Sequence, residues 1–170
     1  WINPDLYKVT DGRTALHDTA FKGNAGICEC LLEFKADVNC QKSTGWTALH
    51  HAAYNGNGQA VHVLLDYDAS VNIKNNEGWT ALHSAVKQGH SGITRMLIDY
   101  RADVNETNQH SLSSLHIAAK SGNVECVKVL LEESDADINM KTKMGKTPRD
   151  LAVLQKHGNV VTLLDSYSKR

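Results

Sequence analysis

The chain has 170 residues and a net charge of -1, with 41% hydrophobic and 22% charged residues. This composition excludes an intrinsically disordered chain and gives no sign of a general affinity for nucleic acid. No uncharged apolar run approaches the roughly 20 residues that a membrane-spanning helix needs, and the length suits one domain of ordinary size.

Cysteine use indicates a reducing compartment. Cys28, Cys30, Cys40 and Cys126 contain no C-x-x-C pair, and residues two apart, such as Cys28 and Cys30, do not face each other on a helix. We therefore predict four free thiols. No pattern typical of a signal peptide opens the sequence, so we expect the protein in the cytoplasm or the nucleus.

One unit recurs five times along the chain. In order, its copies begin with "GRTALHDTAFKGN", "GWTALHHAAYNGN", "GWTALHSAVKQGH", "SLSSLHIAAKSGN" and "GKTPRDLAVLQKHGN". The third residue of each copy is Thr or Ser, and successive copies are 33, 33, 33 and 34 residues apart. The predicted units are 12–44, 45–77, 78–110, 111–144 and 145–170. The extra residue of the fourth unit lies in the loop "EESDAD".

Residues 1–11 form a lead-in before the first unit. Most units end in Val-Asn or Ile-Asn, and the segment Trp1-Ile2-Asn3 is similar to this ending. We therefore expect the lead-in to be the remnant of a preceding repeat, in a parent protein with further repeats or another domain.

Each unit predicts two short helices. The Thr at its third position is a good helix N-cap, because its side-chain oxygen can accept a hydrogen bond from the backbone. In the second unit Leu49, Ala52 and Ala53 lie on one face of the first helix, which Gly56 ends. A second apolar stripe follows at Val61, Leu64 and Leu65. Two short helices cannot bury both stripes alone, so the units are predicted to stack.

This pattern resembles the ankyrin repeat, whose 33-residue period carries the motif T-P-L-H-x-A. The resemblance covers residues 12 to about 165. It implies an all-α fold, a solenoid of stacked helix pairs with hairpin-like loops on one edge. It also implies a structural role for the recurring histidine, whose ring would bind the Thr or the hairpin backbone. These histidines are His17, His50, His83 and His116.

Departures from the pattern predict local differences. The loop that ends each second helix usually carries Gly in ankyrin repeats, but here it carries Lys35, Asp68, Arg101 and Asp135. We expect a left-handed backbone at these positions, which costs about 1 kcal/mol relative to Gly. In the fifth unit a Leu, the His and the helix-ending Gly are replaced by Arg149, Asp150 and Lys156. This unit is therefore predicted to be a C-terminal cap with a polar outer face.

The resemblance implies a protein–protein interaction module, scaffold or adaptor, because hairpin tips and the concave side of the first helices usually bind partner proteins in this family. His51 occupies a position that varies among the units, so we expect it to face the concave side. The predicted partner-binding residues are Arg13, Phe21, Trp46, His51, Tyr54, Trp79, Lys87, Leu112 and Lys146. Within this set the aromatic residues are expected to form one patch with His51 over the first three units. We expect the module to be a monomer.

Several alternatives remain open. Trp46 and Trp79 could instead fold back onto their own hairpins as local packing, or flank a methylated lysine of a peptide by cation–π attraction. The chain could also be the regulatory or targeting segment of a larger enzyme, channel or ubiquitin-ligase adaptor. The run "KTKMGK" places Lys141, Lys143 and Lys146 at the last hairpin, either as a solvated edge or to steer an acidic partner. No nucleic acid is expected as partner, because no basic stripe was found along the other units.

The family also suggests a modification. The unit-ending asparagines resemble those that an asparaginyl hydroxylase modifies in animal ankyrin proteins, and otherwise they would simply bind hairpin backbone. They are Asn39, Asn72, Asn105 and Asn139. No phosphate-binding Gly loop, nucleophile elbow, H-E-x-x-H motif or paired-carboxylate site is present in the sequence. We therefore predict no catalytic residues, no metal, no cofactor and no enzyme activity in this segment.

Overall fold

The computed structural model describes residues 10–168, which form ten α-helices arranged in five pairs. The first helices of the pairs are α1 (Ala15–Lys22), α3 (Ala48–Asn55), α5 (Ala81–Gln88), α7 (Ser114–Ser121) and α9 (Pro148–Leu154). The second helices are α2 (Ala25–Glu33), α4 (Gly58–Asp66), α6 (Ser91–Asp99), α8 (Val124–Glu132) and α10 (Gly158–Tyr167). The expected all-α arrangement of helix pairs is confirmed. The lead-in of residues 1–9 lies outside the described residues.

The first helices begin with a shared hydrogen-bonded cap. In α3 the hydroxyl of Thr47 accepts a bond from the backbone N–H of His50, and the N–H of Thr47 donates to the His50 ring. In α9 Thr147 is equivalent to Thr47, and the carboxylate of Asp150 replaces the histidine ring. This carboxylate accepts a hydrogen bond from the backbone N–H of Thr147 at 2.9 Å. These reciprocal bonds satisfy N–H groups that have no partner inside the helix.

The ends of the first helices are held by the next unit. Gly23 ends α1 at a φ of 78°, and the Asn57 amide donates to the carbonyl oxygens of Ala20 and Phe21, each at 2.9 Å. A Cβ atom on Gly23 would lie 2.8 Å from the Asn57 side chain. Gly is therefore needed both for its backbone conformation and for the close approach of the next unit.

Stacking proceeds from each unit to the next. Each first helix packs on the first helix of the next unit, and each second helix on the next second helix. Fully buried leucines fill the space between them, and Ala52, Ala85, Ala118 and Ala152 let the first helices approach closely. The leucines are Leu16, Leu49, Leu64, Leu82, Leu97, Leu115, Leu130 and Leu164.

The hairpins that precede the first helices are also joined. The backbone N–H of Asn76 donates to the carbonyl of Thr44 in the preceding hairpin at 3.1 Å, and Gln109 repeats this bond to Glu77 at 3.0 Å. At the last hairpin the Lys143 ammonium donates to the Gln109 carbonyl at 3.1 Å. The hairpins thus line up along one edge of the stack.

Three of the four predicted left-handed positions are confirmed. Lys35, Asp68 and Arg101 have φ values of 67°, 60° and 63°. The prediction for Asp135 was wrong, because this residue does not have a positive φ. The extra residue of this loop is the cause. The Ser134 hydroxyl donates a hydrogen bond to the carbonyl oxygen of Leu130 at 2.6 Å. In the units with a left-handed turn, a backbone N–H donates to the equivalent carbonyl oxygen.

The fifth unit departs from the others where the sequence predicted it. Arg149 is exposed and forms an ion pair with Asp165 of α10, with Nη2 and Oδ2 3.0 Å apart. Lys156 follows α9 at a φ of 61°, in the place that Gly occupies in the other units. Cys28, Cys30, Cys40 and Cys126 form no disulfide bonds with one another, as predicted.

Candidate functional site

Both ring nitrogens of the recurring histidines form hydrogen bonds, and at His17, His50 and His116 these bonds join neighbouring units. The His50 ring accepts from the Thr47 N–H at Nδ1 and donates from Nε2 to the Trp79 carbonyl oxygen, 2.9 Å away. Since an N–H only donates and a carbonyl only accepts, Nδ1 carries no proton and Nε2 carries one. The same arrangement is present at His17 and His116, whereas Nε2 of His83 donates to the carbonyl oxygen of Glu106 near the end of its own unit.

Burial keeps these rings neutral. Loss of hydration lowers the pKa of His50 and of His83 to about 4, although the bonded carbonyl oxygens partly oppose this. The pKa values of His17 and His116 are lowered for the same reason. At neutral pH a ring that is uncharged and has both nitrogens engaged does not bind a metal or take up a proton, so these histidines hold the hairpins in place.

An aromatic cleft lies on the side formed by the first helices and the hairpins, which we call the first-helix face. Trp46 lies with its ring centre 4.9 Å from that of His51 and 5.7 Å from that of Tyr54, and Phe21 is 5.8 Å from His51. The cleft has a volume of about 610 Å³. Its other lining residues are Lys42, Ser43, Thr44, Asn75, Asn76, Glu77 and Lys87.

His51 forms part of the cleft wall and differs from the other histidines. Only 8% of the residue is exposed, and its Nε2 atom has no hydrogen-bond partner among the described residues. Burial lowers its pKa to about 3, and the positive charges of Lys42 and Arg13 contribute. A neutral ring whose Nε2 is buried and unpaired therefore forms part of the cleft wall.

Arg13 and Trp79 flank this cleft and do not line it. Arg13 forms an ion pair with Asp18, and its guanidinium lies 5.9 Å from the ring centre of Phe21. Trp79 contacts the His83 ring of its own unit at 5.9 Å and packs against the core. The ammonium of Lys87 lies 5.0 Å from the Trp79 ring centre, so a cation of this chain already occupies one face of that ring.

The expected single aromatic patch is therefore divided. Trp46 belongs to the first cleft, whereas Trp79 lines a separate cavity of about 260 Å³ with Lys87, Leu112 and Lys120. Lys87 borders both spaces. A third cavity of about 330 Å³ at the last hairpin contains Leu112 and Lys146, together with Lys120, Lys143 and Met144.

Basic side chains follow the first-helix face further than the sequence suggested. Lys42 and Lys87 line the first cleft, Lys87 and Lys120 the second cavity, and Lys120, Lys143 and Lys146 the third. The sequence showed no basic stripe along the units before the last hairpin, whereas the structure brings Lys42, Lys87 and Lys120 to the same face. Stacking places Lys87 and Lys120, which are 33 residues apart, in adjacent units on the same face.

Comparison with protein families agrees with this architecture. A family model described as "Ankyrin repeats (3 copies)" matches residues 16–108, and one described as "Ankyrin repeats (many copies)" matches residues 102–152. The chain belongs to the ankyrin repeat family. Ankyrin repeats are generally protein–protein interaction modules, and the repeat is a non-catalytic interaction fold. A search of curated proteins found no match to this chain.

The ankyrin unit endings place the four asparagines in two different settings. Asn39, Asn72 and Asn105 each accept a backbone bond from the next unit at 2.8 Å, from Ser70, Asp103 and Asp137 respectively. Among the described residues the Asn139 side chain makes no hydrogen bond, and the residue is exposed. Three of these side chains therefore tie neighbouring ankyrin repeats together.

Within residues 10–168 no group of three or more His, Cys, Asp or Glu side chains could hold a metal ion. No helix in that range is long and apolar enough to cross a membrane.

Sequence reasoning missed two basic residues of the ankyrin clefts. Lys42 occupies the position of Asn75 and Asn108, whose side-chain oxygens accept N–H groups and so close their hairpins. Lys cannot accept such bonds, so a comparison of equivalent positions would have shown that Lys42 has another role. Lys120 could have been found by noting that it aligns with Lys87.

Proposed function

We propose that the chain is an adaptor or scaffold module that binds a segment of a partner protein along the first-helix face. The observation that carries the proposal is the open cleft bordered by Phe21, Trp46, His51 and Tyr54. Large aromatic side chains in a cleft supply much contact area with little loss of side-chain freedom, and they are frequent anchors of binding energy. The same role would serve a larger enzyme, channel or ubiquitin-ligase adaptor that contained these repeats.

A paired-tryptophan reader of methylated lysine is less favoured. Recognition of a methylated ammonium needs several aromatic faces around one cation. Trp79 lies in a different cavity from Trp46, and its ring is already approached by Lys87. A cationic peptide would also meet the lysines of this face.

The proposal is tested by affinity capture with the whole chain as bait, followed by mass spectrometry. The Trp46→Ala variant is expected to lose partners that the wild type retains, because Trp46 borders the cleft and is not part of the buried core. Phe34→Ala is the matched control, since Phe34 is 68% exposed and does not line the cleft. Circular dichroism must show that both variants are folded. Partners that survive Trp46→Ala and Tyr54→Ala alike would contradict binding at the cleft.

A further inference from the structure

The unused nitrogen of His51 constrains what can enter the aromatic cleft. A buried polar atom without a partner costs free energy that a bound ligand can recover by forming the missing bond. Nε2 itself is sealed from solvent, and the ring lies against Trp46 and Phe21, so a group reaches Nε2 only when one of these aromatic side chains turns aside. The occupant therefore needs an apolar body and a polar end.

A hydroxyl group suits this nitrogen better than a charged group. His51 is neutral, and its Nε2 can be donor or acceptor according to the tautomer, whereas a hydroxyl can serve either state. A carboxylate or an ammonium would lose its hydration among Phe21, Trp46 and Tyr54 and gain no opposite charge from His51. An aromatic ring that carries a hydroxyl, as in tyrosine, meets both requirements.

The charges around the cleft favour an acidic ligand. Lys42 and Lys87 line it, and within residues 10–168 Glu77 is the one carboxylate that does so. The second helices, on the other side of the stack, carry seven carboxylates and only two basic residues, Arg95 and Lys128. The carboxylates are Glu29, Glu33, Asp66, Asp99, Glu125, Glu132 and Asp165. An acidic segment is thus attracted to the first-helix face and repelled by the opposite face.

We propose, building on the proposed function, that the cleft binds a tyrosine within an acidic segment of a partner protein. The tyrosine ring lies among Phe21, Trp46 and Tyr54, which move apart so that the tyrosine hydroxyl can form a hydrogen bond with the buried Nε2 of His51. Carboxylates on both sides of the tyrosine lie beside Lys42 and Lys87. Further acidic residues can continue towards Lys120.

A protein segment is favoured over single-stranded nucleic acid, although both are negatively charged. Nucleic acid places a phosphate at every nucleotide, and its binding depends on neutralising several of them at once. Glu77 borders the same cleft, and the chain as a whole has a net charge of -1. An acidic peptide can omit a charge opposite Glu77, whereas a polynucleotide cannot.

The test measures binding of fluorescein-labelled peptides to the whole chain by fluorescence anisotropy. The first probe is a nine-residue peptide with tyrosine at its centre and glutamate at the other positions. Matched probes replace the tyrosine by phenylalanine, or the glutamates by lysine, and a twelve-nucleotide thymidine strand tests nucleic acid. We expect the tyrosine peptide to bind about fivefold more tightly than the phenylalanine peptide, because of one additional hydrogen bond.

His51→Ile is the decisive variant. Isoleucine occupies the same position in the fourth unit, at Ile117, where it is buried, so the change suits this fold. It is expected to abolish the preference for tyrosine over phenylalanine while the peptides still bind. The double variant Lys42→Gln, Lys87→Gln is expected to weaken binding about fivefold and reduce its salt dependence. Lys22→Gln, at an exposed lysine that does not line the cleft, is the control for charge.

Specific results would overturn the inference. Equal binding of the tyrosine and phenylalanine peptides would contradict it, and so would a preference for tyrosine that persists in His51→Ile. Tighter binding of the lysine peptide or of the thymidine strand, or no binding of the acidic peptide, would contradict it as well. A random-peptide display selection then separates the proposed function, binding of a partner segment at the cleft, from the proposal that this segment is acidic and contains tyrosine. Selected peptides that depend on Trp46 and Tyr54 but are not acidic would leave the proposed function standing. A selection that returns no peptide dependent on these residues would remove both.

Discussion

Nε2 of His50 lies 2.9 Å from the carbonyl oxygen of Trp79, so a ring buried in one repeat holds the hairpin of the next. Nδ1 of the same ring receives the N–H of Thr47. A single side chain thus joins the start of its own helix to the neighbouring unit. The consequence is that stability and the placement of the hairpins depend on the same contacts.

His50→Gln is expected to lower the free energy of unfolding by about 3 kcal/mol, because it leaves a buried N–H and a buried carbonyl oxygen without good partners. Urea denaturation followed by circular dichroism measures the change. His62→Gln is the control: His62 is exposed and pairs with Asp66 on the surface, so its loss should cost less than about 1 kcal/mol. Equal effects of the two variants would contradict a joining role for His50.

The folded protein is expected to lose stability as the pH falls from 6.5 to about 4. The pKa of His50 and of His83 is lower in the folded chain than in the unfolded chain, so protons bind preferentially to the unfolded state in this window. The contribution of His50 and His83 to the free energy of unfolding is fully present above the unfolded pKa of 6.5. Below that pH it declines by about 1.4 kcal/mol per pH unit for each of the two histidines.

Unfolding free energies at neutral pH and at about pH 5 measure this decline before most carboxylates titrate. A variant with glutamine at both His50 and His83 should be less stable throughout but should show a flatter pH dependence. A wild-type stability that is unchanged over the window would show that these rings are not held neutral by folding.

Replacing a left-handed residue by glycine is expected to stabilise the chain. Lys35→Gly and Asp68→Gly should each raise the free energy of unfolding by about 0.5–1 kcal/mol, because glycine adopts a positive φ without steric cost. Asp135→Gly is the matched control, since Asp135 does not have a positive φ. It should give no gain, because there glycine only adds freedom to the unfolded chain. A similar gain at all three sites would contradict this explanation.

If an asparaginyl hydroxylase modifies this chain, we expect Asn139 to be modified first. Entry into an enzyme requires the asparagine to leave its native contacts, and Asn39, Asn72 and Asn105 would each lose a bond to the next repeat. Tandem mass spectrometry of protein from native cells locates each added oxygen atom. Modification of Asn72 or Asn105 in preference to Asn139 would refute the ordering.

The fold could be predicted because its signals are local and repeated. The Thr47 cap, the Gly56 ending and the apolar stripes each follow from a few neighbouring residues, and the period carries them to every unit. The error at Asp135 has the opposite cause. One additional residue changed the path of that loop, and the Ser134 hydroxyl replaced the backbone bond on which the prediction depended.

The candidate site could be predicted only in part. The period correctly brings Phe21, Trp46, His51 and Tyr54 together, because equivalent positions stack. It does not specify side-chain direction, and so it did not separate Trp79 from Trp46. The position of Lys87 over the Trp79 ring and the unused nitrogen of His51 depend on rotamers and burial. The spacing of the residues predicts neither feature.

The glycine that ends each first helix, and the lysine that replaces it after α9, control where a new copy of the unit could be added. Asn57 reaches the end of α1 only because Gly23 has no side chain. At Lys156 a side chain occupies the corresponding place, so a sixth unit grafted there could not seat its own asparagine. An engineer lengthening the array would therefore have to change Lys156 to glycine before joining another module to this protein.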